Sequence, residues 1–460
     1  FSSMPRILRG LLFSLLFSCF AFISYASAAT VTWDGGGSTN DWSEGANWST
    51  NAIPASADVA VFSSTSTKDC TVNQAVTIVA IEIQSTYSGI ITQSGTNAIT
   101  LAGSASNSAF SQAAGTFTGG SGTITLTNNA GFGDFVLSGG TFTSTTGTLN
   151  ISNEFTHTAG GTFTHNSGTV SFMNNGNSTS TINVTTTETF NNVSIVKATS
   201  QASTITSGDT LVVEGTLTLT DGVLNTGDVT LNGSLSTGTS FDGGSAIITI
   251  SGATTRTMTL GNGGSIPKIV LNAANATVNE GSSGTLTMNQ LTVQAGTYTG
   301  GAGSLTVTNA FSQTGGSMTL DSGTNTFSST FGISDASASF DAGSGTVTIG
   351  NVFTLSAGAF NGGSSTMSIT NASSLGDLII SGGTFTSTSG TLSISNEFTH
   401  TAGGTFTHNS GTVSFINNAN TTSTINVTTT ETFSSLTFSK GTGQASTITS
   451  GDTLVVEGTL

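Results

Sequence analysis

The chain has 460 residues, of which 60 are glycine and 3 proline, and only 7% carry a charge. With 35% hydrophobic residues and a mean hydropathy of +0.15 it is too apolar and too weakly charged for ordinary disorder, and its glycines lack the three-residue period of collagen. The net charge of −16 excludes nucleic acid as an expected partner, because Lys68, Lys197, Arg256, Lys268 and Lys440 are scattered singly where a basic stripe would be needed.

The N-terminus reads as an export signal over residues 1–28, with Met4 as the expected start. Arg6 and Arg9 supply a basic n-region and Leu11 to Ser24 an apolar stretch. Ala26-Ser27-Ala28 then gives the small-x-small pattern of a signal peptidase site. The apolar stretch falls short of the roughly 20 residues a membrane span needs, and no other long apolar run follows. The mature chain is therefore expected to begin at Ala29, to lack a transmembrane helix, and to reside outside the cell or on its outer surface. Cys70 is then the single remaining cysteine, so an internal disulfide is excluded. It reads as a small buried apolar residue.

Residues 29–70 hold all three tryptophans, in Thr32-Trp33-Asp34-Gly35-Gly36-Gly37, Asp41-Trp42-Ser43 and Asn47-Trp48-Ser49, followed by Ile53-Pro54 and Asp58-Val59-Ala60-Val61-Phe62. The first coil of a stacked repeat array exposes apolar interior and an unpaired sheet edge, so a bulky closing segment is expected there. Trp33, Trp42 and Trp48 read either as that cap or as a carbohydrate-stacking platform. This opening, placed between a signal and Thr-Gly-Ser repeats, resembles the N-terminal segment of bacterial secreted β-helix proteins of the adhesin and autotransporter-passenger type. The resemblance implies surface display, with adhesion or matrix formation as the role.

From residue 71 the chain is a repeat array. Ser138 to Leu217 and Ser381 to Leu460 align without a gap at an offset of 243, with 67 of 80 positions identical. Weaker similarity extends the duplicated blocks to 99–217 and 342–460. Beneath this lies a shorter period: a Gly-Thr-apolar-x-apolar phrase begins at Gly122, Gly147 and Gly168, and again from Gly284 to Gly411, in steps of 19 to 25 residues. Such periods signal stacked structural units. Within them polar and apolar residues alternate, as in Thr148-Leu149-Asn150-Ile151 and Thr346-Val347-Thr348-Ile349, the pattern of half-buried strands rich in β-branched residues. Two or three short strands plus turns fill one step. The expected fold is all-β, a right-handed parallel β-helix of about 18 coils, with tandem β-sandwiches as the competing arrangement. There are 28 phenylalanines against 3 tyrosines, as suits a stacked interior with no hydroxyls to satisfy. Phe142, Phe155, Phe163 and Phe172, with their copies Phe385, Phe398, Phe406 and Phe415, are the expected core stack.

Chemistry is sparse along this array. No two acidic residues are adjacent, and no basic residue accompanies an acidic pair, so neither the paired carboxylates of a glycosidase nor a lyase's calcium cluster is expected. Asp209 with Glu214 recurs as Asp452 with Glu457, which reads as copied scaffold. His157 and His165 recur as His400 and His408; a metal pair would need further ligands, so these read as outward residues among threonines. No cofactor, metal or catalytic residue is expected. Thr-x-Thr phrases such as Thr141-Phe142-Thr143, Thr216-Leu217-Thr218 and Thr384-Phe385-Thr386 raise the alternative of an ice-binding ladder, against which the uneven repeat lengths argue. The expected function is a secreted or surface structural repeat protein, an adhesin or stalk that contacts host or matrix surfaces and polysaccharides, with a polysaccharide-binding or polysaccharide-degrading β-helix as the alternative. Leu460 aligns with Leu217, after which the earlier copy continues its strand, so the sequence is expected to stop inside a coil.

Overall fold

A computed structural model describes residues 28–127, 131–157, 160–174, 179–261, 263–281, 284–371, 375–417 and 422–460. Apart from Ala28, the expected export signal lies outside the described residues. Among them the only helical element is a single turn, Gly45–Asn47, and no helix is long and apolar enough to cross a membrane. Parallel strands, mostly short and three to a coil but merging into longer ones such as the 13-residue Lys268–Glu280, stack into a β-solenoid of about 17 turns, one fewer than the repeat arithmetic suggests. In one coil the strands are Thr116–Thr118, Ile124–Leu126 and Phe135–Leu137; the next coil places Gly140–Thr143, Thr148–Ile151 and Phe155–His157 directly on them.

Over most coils uneven repeat length leaves the strand register untouched; shifts interrupt it near Val196, between Leu219 and Val223, and between Leu271 and Thr277. On one face Thr306, Thr326, Thr348, Ser368, Ser393 and Ser414 are neighbours coil to coil, although the chain between them takes 20, 22, 20, 25 and 21 residues. The turns absorb the difference. Gly140 and Gly383 show what a tight corner demands: each has φ above +70°, and a Cβ there would stand 2.4 Å from the carbonyl oxygen of the coil beneath. Only glycine fits such a close, left-handed approach.

The alternation decides what is buried. Phe142 lies face to face with Phe117 at 5.0 Å and with Phe163 at 5.8 Å, while Phe110, Phe135 and Phe155 form a second column at 5.3 and 5.0 Å that meets the first edge-on. These are the offset and T-shaped geometries that aromatic rings prefer. All eight expected core phenylalanines are buried, Phe163 and Phe406 being the most open at 9%. The duplicate repeats the column with Phe360, Phe385 and Phe406. Cys70 is buried in register with Ile91, its thiol pushed well up by burial.

At the N-terminal end the solenoid starts before residue 71. Ala29–Thr32 pairs with Asp58–Phe62, which pairs with Ala80–Ile83, so cap and first coil share strands. Trp33, Trp42 and Trp48 close this end over Phe62, with ring centroids 4.6 to 6.2 Å apart. The Trp48 indole N–H donates to the Trp42 carbonyl at 2.9 Å, and that of Trp33 to the Lys68 carbonyl at 2.9 Å. Lys68 in turn spends its ammonium on the carbonyls of Gly35 and Gly37 and on Asn47 Oδ1. Trp48→Phe keeps an aromatic ring but orphans the Trp42 carbonyl, and is expected to cost about 1–2 kcal/mol. Loss of that amount should show as earlier loosening of this end in tryptophan fluorescence; an unchanged transition would mean that the bond contributes nothing.

Candidate functional site

The solenoid turns hydroxyl-bearing residues outward in columns along its axis. On one face Thr71, Thr92, Thr118, Thr143 and Thr164 stand in register, and beside them run Thr116, Thr141 and Thr162. Neighbours lie about 4.8 Å apart between coils and about 6.7 Å apart along a strand. A second face carries an eight-coil polar column from Thr77 through Thr100, Thr125 and Asn150 to Ser236. Multiple weak contacts from such a surface add through effective concentration, without any single deep site.

The sequence-derived candidates are placed differently from one another. Trp33, Trp42 and Trp48 are buried to 1% exposure or less, so none offers a ring face to a sugar; they are interior residues of the cap. The histidines depart from expectation. His157 is not an outward residue: its Nδ1 makes a short hydrogen bond to the Glu188 carboxylate, and the copy His400 does the same with Glu431 at 2.5 Å. Glu188 and Glu431 alternate in phase with the buried Phe190 and Phe433, which brings their carboxylates to the interior wall. Burial raises both carboxyls above their usual range, and the histidine contact draws them partly back. His165 accepts the Ser167 N–H through Nδ1, whereas His408 Nε2 lies 3.4 Å from Glu457. Among the described residues no three metal-ligating side chains gather.

Asp209 and Asp452 are ties between coils. Their Oδ2 atoms accept the backbone N–H groups of Val184 and Val427 at 2.9 and 2.8 Å. Glu214 accepts from Asn232, one coil on. Two lysines that sequence reasoning left unassigned do similar work. Lys197 donates to the carbonyls of Ser152 and Met173, two coils and one coil back, and Lys440 to those of Ser395 and Ile416. Burial lowers Lys197 to about 8 and Lys440 in the same direction. These groups fasten one coil to the next, and the duplicated block repeats the Asp and Lys contacts residue for residue.

One interior pair is less well tied. Glu280, 6% exposed, points inward in phase with Val278, and its carboxylate has no side-chain partner, only the backbone N–H of Gly301 drawing it partly back. Tyr298, 1% exposed, stacks on Val278 from the next coil with its hydroxyl unpartnered. Burial raises the Glu280 carboxyl to about 7 and, with Glu280 as a second cause, the Tyr298 phenol well above its usual range. The signal was present in the sequence: Glu280 falls on the apolar phase of its strand. Compared with known proteins, the chain matches no family model, no curated protein and no solved structure.

Proposed function

We propose that this chain is a non-catalytic structural rod of a cell surface, an adhesin or stalk exported by its N-terminal signal, which acts through many weak contacts along its hydroxyl-bearing faces. The observation that supports this reading is where the polar chemistry goes. The carboxylates of Asp209 and Asp452, and the ammonium groups of Lys197 and Lys440, are used in bonds between coils, while the outward columns repeat over many turns. Beads coated with the rod at graded densities test it. Retention on extracellular-matrix and polysaccharide films should rise steeply with density, as avidity requires, and no reducing ends or unsaturated products should be released. Turnover of a polysaccharide by the pure chain, abolished by changing one Asp, would overturn the proposal.

A second reading has a specific observation behind it. Because the turns absorb the uneven repeat lengths, Thr92, Thr118, Thr143 and Thr164 with Thr116, Thr141 and Thr162 form a regular two-column grid of the kind that can order water as ice does. Thermal hysteresis lost in Thr141→Lys would favour it. Ice growth unaffected by the wild-type chain would remove it.

A further inference from the structure

The outward face formed by Ala80–Ile83 and Phe110–Gln112 carries a groove that the Asp209, Asp452, Lys197 and Lys440 ties do not use. Glu82 stands at its centre and is shared by two adjoining compartments of about 350 and 300 Å³. Ser111 is its in-register neighbour on the next coil. One wall is the tight turn at Ser104 to Asn107, closed by reciprocal backbone bonds of 2.8 and 3.1 Å. The other is the corner at Gln84 to Tyr87, closed by a 3.0 Å bond and tied to the preceding coil by Ser64 N–H donating to Thr86 Oγ1. Both walls are therefore fixed before any ligand arrives.

The groove's polar groups are largely unspent. Glu82 Oε1 accepts from the Gln84 amide at 2.9 Å, which aims the carboxylate and leaves Oε2 available. Asn107 takes the Ser104 hydroxyl on Oδ1 and keeps its Nδ2 donors. Ser106, Ser108 and Ser111 add hydroxyls that both donate and accept. Among the described residues lining the two compartments Glu82 is the one charged side chain, and no aromatic ring is present. The two compartments are each near the lower end of small-molecule sites, room for about one sugar ring apiece. Mixed donors and acceptors suit vicinal hydroxyls, and a lone carboxylate without a basic neighbour suits a cation.

We propose that this groove binds a polymer of amino sugars, with the free ammonium of a hexosamine unit on Glu82 and its hydroxyls on Ser111 and Asn107. The proposal rests on the adhesive reading and sharpens it, giving the rod one defined contact close to its capped end.

Titration of the 460-residue chain with a glucosamine tetramer, its fully N-acetylated counterpart and a galacturonic acid tetramer, followed by calorimetry, tests it. The glucosamine oligomer should bind, the acetylated one should bind about tenfold more weakly, and the polyuronate should not bind. Glu82→Gln should weaken the glucosamine oligomer by about tenfold and erase the preference over the acetylated form, while far-ultraviolet circular dichroism stays unchanged. Ser111→Val should weaken both oligomers. Equal affinity for acetylated and free forms, no binding of either, or an unaltered affinity in Glu82→Gln would overturn the site. Bead adhesion measured with Glu82→Gln separates the two ideas: retention on neutral matrix films that survives this change leaves the rod's role standing when the groove's does not.

Discussion

Phe142→Asp should open the middle of the first duplicated block. Phe142 is 1% exposed, lies between the parallel faces of Phe117 and Phe163, and receives the edges of Phe110 at 5.1 Å and Phe135 at 4.8 Å. Removing the ring leaves a cavity worth about 3–5 kcal/mol. The new carboxylate has no counter-charge among those rings and adds its own desolvation cost. Together they exceed about 5 kcal/mol. In a solenoid the damage should stay local, because each coil touches its neighbours and, through long side chains such as Lys197, at most the second coil along. The expected result is a separate low-temperature unfolding step, with fast amide exchange across Phe110–Gln112, Thr116–Thr118 and Gly161–Thr164 and persistent protection beyond residue 300. Phe385→Asp should give the mirror outcome in the second block. Thr143→Asp, one residue on but outward, is the control and should shift stability by about 0.5 kcal/mol or less. Equal transitions for Phe142→Asp and Thr143→Asp would contradict the inward register of this strand.

Much of this register is legible from sequence because parallel stacking copies it. A Gly-Thr-apolar-x-apolar phrase recurring every coil puts Ile124, Leu149 and Val170 in one column, and period-two alternation says which side is in. The His157–Glu188 contact was not legible in the same way. It joins residues 31 positions apart across a corner, and the turn between coils, whose length varies, decides which side chains meet there. Glu188 did carry a hint, two residues before the inward Phe190, yet a carboxylate on an apolar phase is readily taken for a surface residue. The objection that uneven steps spoil an outward grid does not hold over Thr92 to Thr164 for a related reason: there the length variation sits in turns, whereas between Ile195 and Thr277 register shifts carry some of it into the strands. The groove around Glu82 lies beyond sequence reading altogether, since the turn at Ser104 to Asn107 builds its wall through backbone bonds that no residue pattern announces.

Glu280→Gln should stabilise the rod at neutral pH and have no effect in acid. Glu280 is buried with no side-chain partner, and burial raises its carboxyl to about 7 against 4.5 in an unfolded chain, the Gly301 backbone N–H drawing it only partly back. Below pH 4.5 both states hold the proton, and the group costs nothing. Between 4.5 and 7 the unfolded chain has released its proton while the folded one keeps it, so stability falls as pH rises; above 7 the whole cost, on the order of 2–3 kcal/mol, is present. The other titratable groups on the strands packed around it do not relieve this. Arg256 is turned to the carbonyls of Leu231, Asn232 and Ser251, Lys268 lies at the opposite end of the same strand, and Tyr298 becomes harder to ionise beside Glu280. Glu188 and Glu431 are raised in the same direction, so they add to the slope, while Glu44 and Asp335, held low by hydrogen bonds from Ser38, Thr39 and Ser337, act only below about pH 4.5. The solenoid would thus be firmest in mild acid, the reverse of ordinary acid denaturation. Denaturant unfolding of wild type and Glu280→Gln at pH 4.5 and pH 8 decides the matter. The variant should match wild type at pH 4.5 and gain about 2–3 kcal/mol at pH 8, a difference that a merely structural loss of packing would not produce with this pH dependence. A variant less stable than wild type at pH 8 would mean that the Glu280 carboxylate is paired in solution, and that the interior at this coil is not the apolar enclosure described here.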